Sequence, residues 1–127
     1  MNILDENILN EQRQLLKMWK IAVYQIGDDI GRKGMPDEEI IPLLHGLSRP
    51  TFFTRDSDFY QRHLCHSRYS LVYLDVGRYE VANFVRSLLR HQQFNTHTKR
   101  MGRVIRIFHG GLTVWYLHAE KENYFEW

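Results

Sequence analysis

Four short β-prone runs, residues 2–4, 21–24, 51–53 and 71–74, alternate with stretches of helical period or helical start signals. Each is long enough for a strand and too short for a helix. Ile8, Leu9, Leu15, Leu16 and Trp19 define an apolar stripe after the first run, with Gln12, Arg13 and Lys17 assigned to its wet face. Gly27, Asp28, Asp29, Gly31 and Gly34 mark a polar loop after the second. Pro36, Asp37, Glu38 and Glu39 then open a helix predicted to reach about Leu47, kinked or distorted where Pro42 withholds a backbone donor from Glu38. A short helix capped by Asp58 is predicted over 58–64 after the third run. Val81, Phe84, Val85, Leu88 and Leu89 give the cleanest amphipathic template after the fourth, with Arg86 and Arg90 on its other side. Residues 91–102 read as a polar connector, and 103–108 with 112–117 as a hairpin turning at His109, Gly110 and Gly111.

Strand and helix in alternation predict an α/β domain with a central, mostly parallel sheet, helices on both faces, and the hairpin as a C-terminal extension. At 127 residues and 43% hydrophobic the chain suffices for one core, so one domain is expected over 1–127: a core at about 1–92, then connector and hairpin at about 93–127. No apolar run approaches the ~20 residues that cross a bilayer. Residues 1–7 lack the basic and apolar regions of a signal peptide, and a soluble, cytoplasmic protein is the expectation. The single cysteine, Cys65, excludes an intramolecular disulfide framework, and its spacing to His63 and His66 matches no two-pair zinc pattern.

Two of the apolar runs end on acids. Asp5 and Glu6 follow the first, and Asp56 and Asp58 follow the third. In a parallel sheet the carboxyl ends of strands share one edge, where open α/β sheets place their sites, so these acids are expected to converge. Asp-x-Asp is also ordinary turn and N-cap material, and three acids at a helix start complement the helix dipole without any metal. Charge is unevenly placed: residues 1–58 hold ten acids against seven Lys and Arg, residues 59–127 five against ten. That suits a carboxylate cluster beside a phosphate-contacting surface as well as it suits an uneven solvated one. Arg55, Arg78, Arg86 and Arg90 are the candidate phosphate contacts.

The segments Leu4–Asn7 at the first strand end, Asp37–Ile40 opening a helix, and Thr54–Phe59 after the third strand resemble, in order and placement, the PIN-domain nucleases. More closely the chain is similar to small stand-alone PIN-like proteins of unknown function related to VapC-type toxins, over roughly residues 1–92. The resemblance implies a PIN-like three-layer α/β/α fold and a metal-dependent endoribonuclease of a toxin–antitoxin system. It implies Asp5, Asp37, Asp56 and Asp58 as an acidic quartet holding Mg²⁺ or Mn²⁺, with Glu6 and Glu38 as substitute ligands. RNA would be the substrate, an antitoxin protein a partner, and a homodimer a possible assembly. The chemistry is coherent: hard cations take oxygen ligands, and a metal-bound water can attack a phosphodiester. Two other readings compete with it. One is a catalytically degenerate module that binds RNA or protein, which the 13% aromatic content suits. The other is a receiver-like signalling domain, for which Asp28 and Asp29 after the second strand and Asp56 after the third supply acids. Such a domain places its acid pair after the first strand and a lysine after the fifth, and neither is found in the right place.

Overall fold

The computed structural model describes residues 1–127. Seven strands form one sheet: β1 (Asn2–Leu4), β2 (Tyr24–Gln25), β3 (Thr51–Thr54), β4 (Ser70–Leu74), β5 (Arg103–Phe108), β6 (Gly111–Tyr116) and β7 (Asn123–Phe125). Their order is β2-β1-β3-β4-β5-β6-β7. The first five run parallel, and β6 and β7 are antiparallel additions at one edge. The helices are α1 (Asn10–Met18), α2 (Asp37–His45), α3 (Val81–Arg90) and a single turn, α4 (His97–Arg100). None is long and apolar enough to cross a membrane.

Alternation along the central strands divides the core in two. Leu4, Phe53 and Val72 face one side with Leu16 of α1 and Val81, Val85 and Leu88 of α3. Ile3, Phe52 and Leu71 face the other with Ile40 and Leu44 of α2. A strand turns successive side chains to opposite faces, so paired apolar residues such as Phe52 and Phe53 serve both helical layers. Val81, Val85 and Leu88 are completely buried, and burial of side chains of this size is worth about 1.5–3 kcal/mol each.

Several local expectations change. The strand expected at 21–24 is instead the two residues Tyr24 and Gln25, which pair in parallel with Ile3 and Leu4. The helix expected at 58–64 is two separate 3-10 turns, Ser57–Phe59 and Arg62–Leu64, and its cap is Asp56, whose carboxylate accepts from the Asp58 amide. The second helix runs on through Pro42 to His45. Gln12 and Arg13, assigned to solvent, are buried. Gln12 Oε1 accepts from the Ala82 amide at the start of α3, and Arg13 bridges Asp28 and Asp29 at 2.9 and 2.8 Å.

The largest revision concerns the C-terminal part. β5 pairs in parallel with β4, from Leu71↔Val104 to Leu74↔Ile107, and so belongs to the main sheet. Val104, Ile105, Ile107, Leu112 and Val114 have no exposed surface. The 91–102 segment is also anchored, since Phe94 and Arg100 are buried and α4 lies within it. A third strand, β7, closes over β6, and at Gly111 the approach is tight: a Cβ there would lie 2.4 Å from the Phe125 carbonyl oxygen.

Candidate metal centre

Strand order β2-β1-β3-β4-β5 reverses direction between β1 and β3. In doubly wound sheets that reversal leaves a crevice beyond the carboxyl ends of the two strands, because the connections leave them toward opposite faces. Asp5 follows β1 and Asp56 follows β3, and both line one cavity with Glu6, whereas Asp58 groups with Asp37 and Asp56 and not with Asp5. The Asp5 amide continues the ladder by donating to the Phe53 carbonyl at 2.9 Å. Asp37 arrives separately, as the first residue of α2 after Pro36. Asp58 sits on the 3-10 turn fixed by the Asp56 cap and by the buried ring of Phe59.

Asp37, Asp56 and Asp58 each offer an oxygen, and these oxygens lie within 4.8 Å of one another. Asp5, Asp37 and Asp56 line a common cavity of about 490 Å³ with Glu6 and Arg55. Proton affinities record the crowding. Burial pushes the Asp5 carboxyl up, and the charges of Asp56 and Glu6 add to it, against the hydrogen bonds from Thr54 and the Glu6 amide. Asp37 is also pushed up, first by burial, then by its carboxyl contact with Asp56 and by the charges of Asp56, Asp5 and Asp58. The neighbouring carboxylates therefore add to burial in opposing ionisation of Asp5 and Asp37.

The substitute acids behave differently. Glu6 lines the cavity, but both its oxygens accept from the Gly34 amide, at 3.1 and 2.7 Å, which ties the β1 end to the loop before α2. Glu38 is exposed and does not line the cavity. Of the four arginines, Arg55 reaches the site: its Nε donates to the Val76 carbonyl at 3.0 Å, and it forms no ion pair with the acids beside it. Arg78 lies on the same edge, after β4, with its guanidinium over the Tyr79 ring. Arg86 packs on Trp19 at the C-terminal end of α1, 3.8 Å from the ring centroid, and Arg90 ends α3. Both helices run back from the acidic edge, so these two arginines lie away from the carboxylates.

Two supporting residues escape sequence inspection. The Thr54 hydroxyl donates to Asp5 Oδ2 at 2.6 Å and accepts from the Asp56 amide at 3.0 Å, joining the two strand ends through one side chain. Gln25, buried in β2, places its Nε2 2.8 Å from the Ile8 carbonyl and 3.2 Å from that of Asp5, holding the loop that carries Asp5 and Glu6. A threonine at a strand end and a glutamine in a two-residue strand have no pattern to give them away. Asp75, a further acid on this edge, is bridged to Arg106 at 2.7 Å.

The donors in the triad are all carboxylate oxygens, with no thiolate or imidazole, a set matched to hard divalent cations. The chain matches no protein-family model, no curated protein and no solved structure.

Proposed function

We propose that the protein is a Mg²⁺- or Mn²⁺-dependent endoribonuclease of PIN-like type, acting on RNA as the toxin of a toxin–antitoxin pair. The carrying observation is the meeting of Asp37, Asp56 and Asp58, from a helix start and a strand end, within 4.8 Å at the crevice where the strand order reverses. Asp5, from the neighbouring strand, lies outside that group of three but lines the same cavity as Asp37 and Asp56. The donor set fits the metal, and a cation would relieve the negative charge that, after burial, pushes the Asp5 and Asp37 carboxyls up. In this reading Asp37, Asp56 and Asp58 would hold the ion, and the Thr54 hydroxyl fixes the Asp5 carboxylate beside them. A bound cation supplies a water of lowered pKa and offsets charge developing on the phosphate. Arg55, uncommitted to any carboxylate, draws the scissile phosphodiester to the acids and keeps it from being repelled by them.

A purified sample incubated with RNA and Mn²⁺ should cleave it. EDTA, Asp5→Ala and Asp56→Asn should each abolish cleavage, and Mn²⁺ should raise the melting temperature of the wild type but not of Asp56→Asn. Cleavage that survives EDTA or either substitution would overturn the mechanism. A binding module without catalysis has one observation in its favour: Asp56 Oδ1 is already employed as a turn cap for Asp58. That reading expects RNA retention without cleavage and no thermal response to Mn²⁺. A receiver-like module shares the strand order, but β5 is followed by His109, bonded to Glu80 at 2.8 Å, where such a module needs lysine.

A further inference from the structure

The opposite edge of the sheet, where the parallel strands begin, carries a second cavity of about 410 Å³. It is lined by His45 from the last turn of α2, Arg49 from the loop entering β3, Ser67 and Arg68 from the loop entering β4, and Thr98 of α4, with two apolar residues. No carboxylate lines it. Neither the Arg49 nor the Arg68 side chain makes an ion pair, and only their backbone atoms hydrogen-bond, Arg49 through its carbonyl and Arg68 through its amide.

Further positive charge lies alongside. Arg100, on the α4 turn between two lining residues, is 2% exposed. Its guanidinium donates to Thr51 Oγ1 at 3.0 Å and the Phe94 carbonyl at 2.8 Å, and meets His97 Nδ1 at 3.1 Å. These acceptors are neutral, so a buried cation has no counter-charge in the chain, a costly arrangement that a nearby anion offsets. Burial, followed by the positive charges of the amino terminus, Arg100 and Arg49, holds the His97 imidazole below its ordinary range.

The loops that carry the two free arginines are fixed. The Arg68 amide donates to His66 Nδ1 at 3.1 Å, while the His66 ring stacks on Tyr69 and meets His45 edge-on, 4.4 Å between centroids. Arg49 has φ +47° immediately before Pro50, and the Pro50 carbonyl accepts from Ser70 at 3.0 Å. Left-handed backbone at a non-glycine residue is strained, and persists where the surroundings over-determine it.

We propose that this cavity binds the phosphate group of a phosphorylated ligand, gripped by the Arg49 and Arg68 guanidiniums, with the Ser67 and Thr98 hydroxyls as additional donors. Two guanidinium forks and two hydroxyls offer more donors than a carboxylate has oxygens to accept, and match the several oxygens of a phosphate. The site uses none of the acids at the other edge and stands whether or not those acids hold a metal.

The test is titration calorimetry on the full chain with inorganic phosphate, against sodium chloride at matched ionic strength. Phosphate should bind the wild type, and the Arg49→Gln/Arg68→Gln pair should bind about tenfold more weakly or worse, through loss of charge-assisted hydrogen bonds. Should that pair fail to fold by circular dichroism, Ser67→Ala/Thr98→Val is read instead and should also weaken binding. Phosphate heats equal to those of chloride, or binding unchanged in the folded variant that is read, overturn the site. Competition then identifies the source of the phosphate. Displacement by adenosine 5′-monophosphate indicates a free phosphomonoester, and displacement only by a short RNA without terminal phosphates indicates the nucleic-acid backbone. Displacement by neither overturns the assignment to a phosphorylated ligand.

Discussion

At the scale of single residues, Thr54 shows how much of a polar site can depend on one hydroxyl. It serves Asp5 as donor and the Asp56 amide as acceptor, so the shape-conserving Thr54→Val leaves two partly buried polar groups without their partner. The expected cost is about 1–3 kcal/mol, measured by urea unfolding, since an unsatisfied buried group loses its hydration without replacement. A cost near zero would show that water substitutes for the hydroxyl. Asp56 has two tasks at this scale, a carboxylate of the cluster and a cap for the turn that presents Asp58. Sequence pattern places the cap on Asp58, since either acid of Asp-x-Asp is turn and N-cap material, and so the spacing alone decides nothing.

At the scale of elements, the C-terminal strands are structural members of the sheet. Loss of β5 would expose one flank of β4 and remove Ile105 and Ile107 from the core formed with α3. A chain ending at residue 92 is therefore expected to remain unfolded, with no near-ultraviolet dichroism and no cooperative melting. A cooperative transition in that fragment would restore the smaller core predicted from the sequence. Local pattern explains what was legible. The Val81–Leu88 spacing lies within one helix and needs no knowledge of neighbours, so α3 is found where its periodicity places it. Parallel pairing of β5 with β4 was hidden, because an alternating apolar strand carries no label for its partner. Burial of Gln12 and Arg13 was hidden for the same reason: their partners, Ala82 and the Asp28 and Asp29 pair, are distant in sequence. The acidic strand ends were legible because parallel topology, once inferred, itself brings them to one edge.

At the scale of the whole molecule, stability should carry the imprint of the acidic edge. Asp5 and Asp37 bind protons more tightly folded than unfolded. Their contribution is fully present below the unfolded carboxyl pKa, near 4, and is lost as pH rises through the higher folded value. Asp37→Asn removes this loss, so its stability advantage over the wild type should grow from about pH 4 to about pH 7. Comparing the two proteins isolates Asp37 from Glu80, which its bonds to His109 and the Gly77 amide shift downward, and from His97, likewise lowered. A difference that stays constant with pH, in urea unfolding at both ends of that window, would refute the repulsion inferred for the cluster.

The sheet begins with a strand of two residues and ends with one of three, β2 and β7. Backbone donors and acceptors unpaired at a sheet margin invite a strand from another molecule, and short margins limit how many such bonds can form. Fibrous stacking and runaway edge-to-edge growth thus have little to start from. A stable pairing of two copies would draw more on side chains of a helical face or the loops than on these edges.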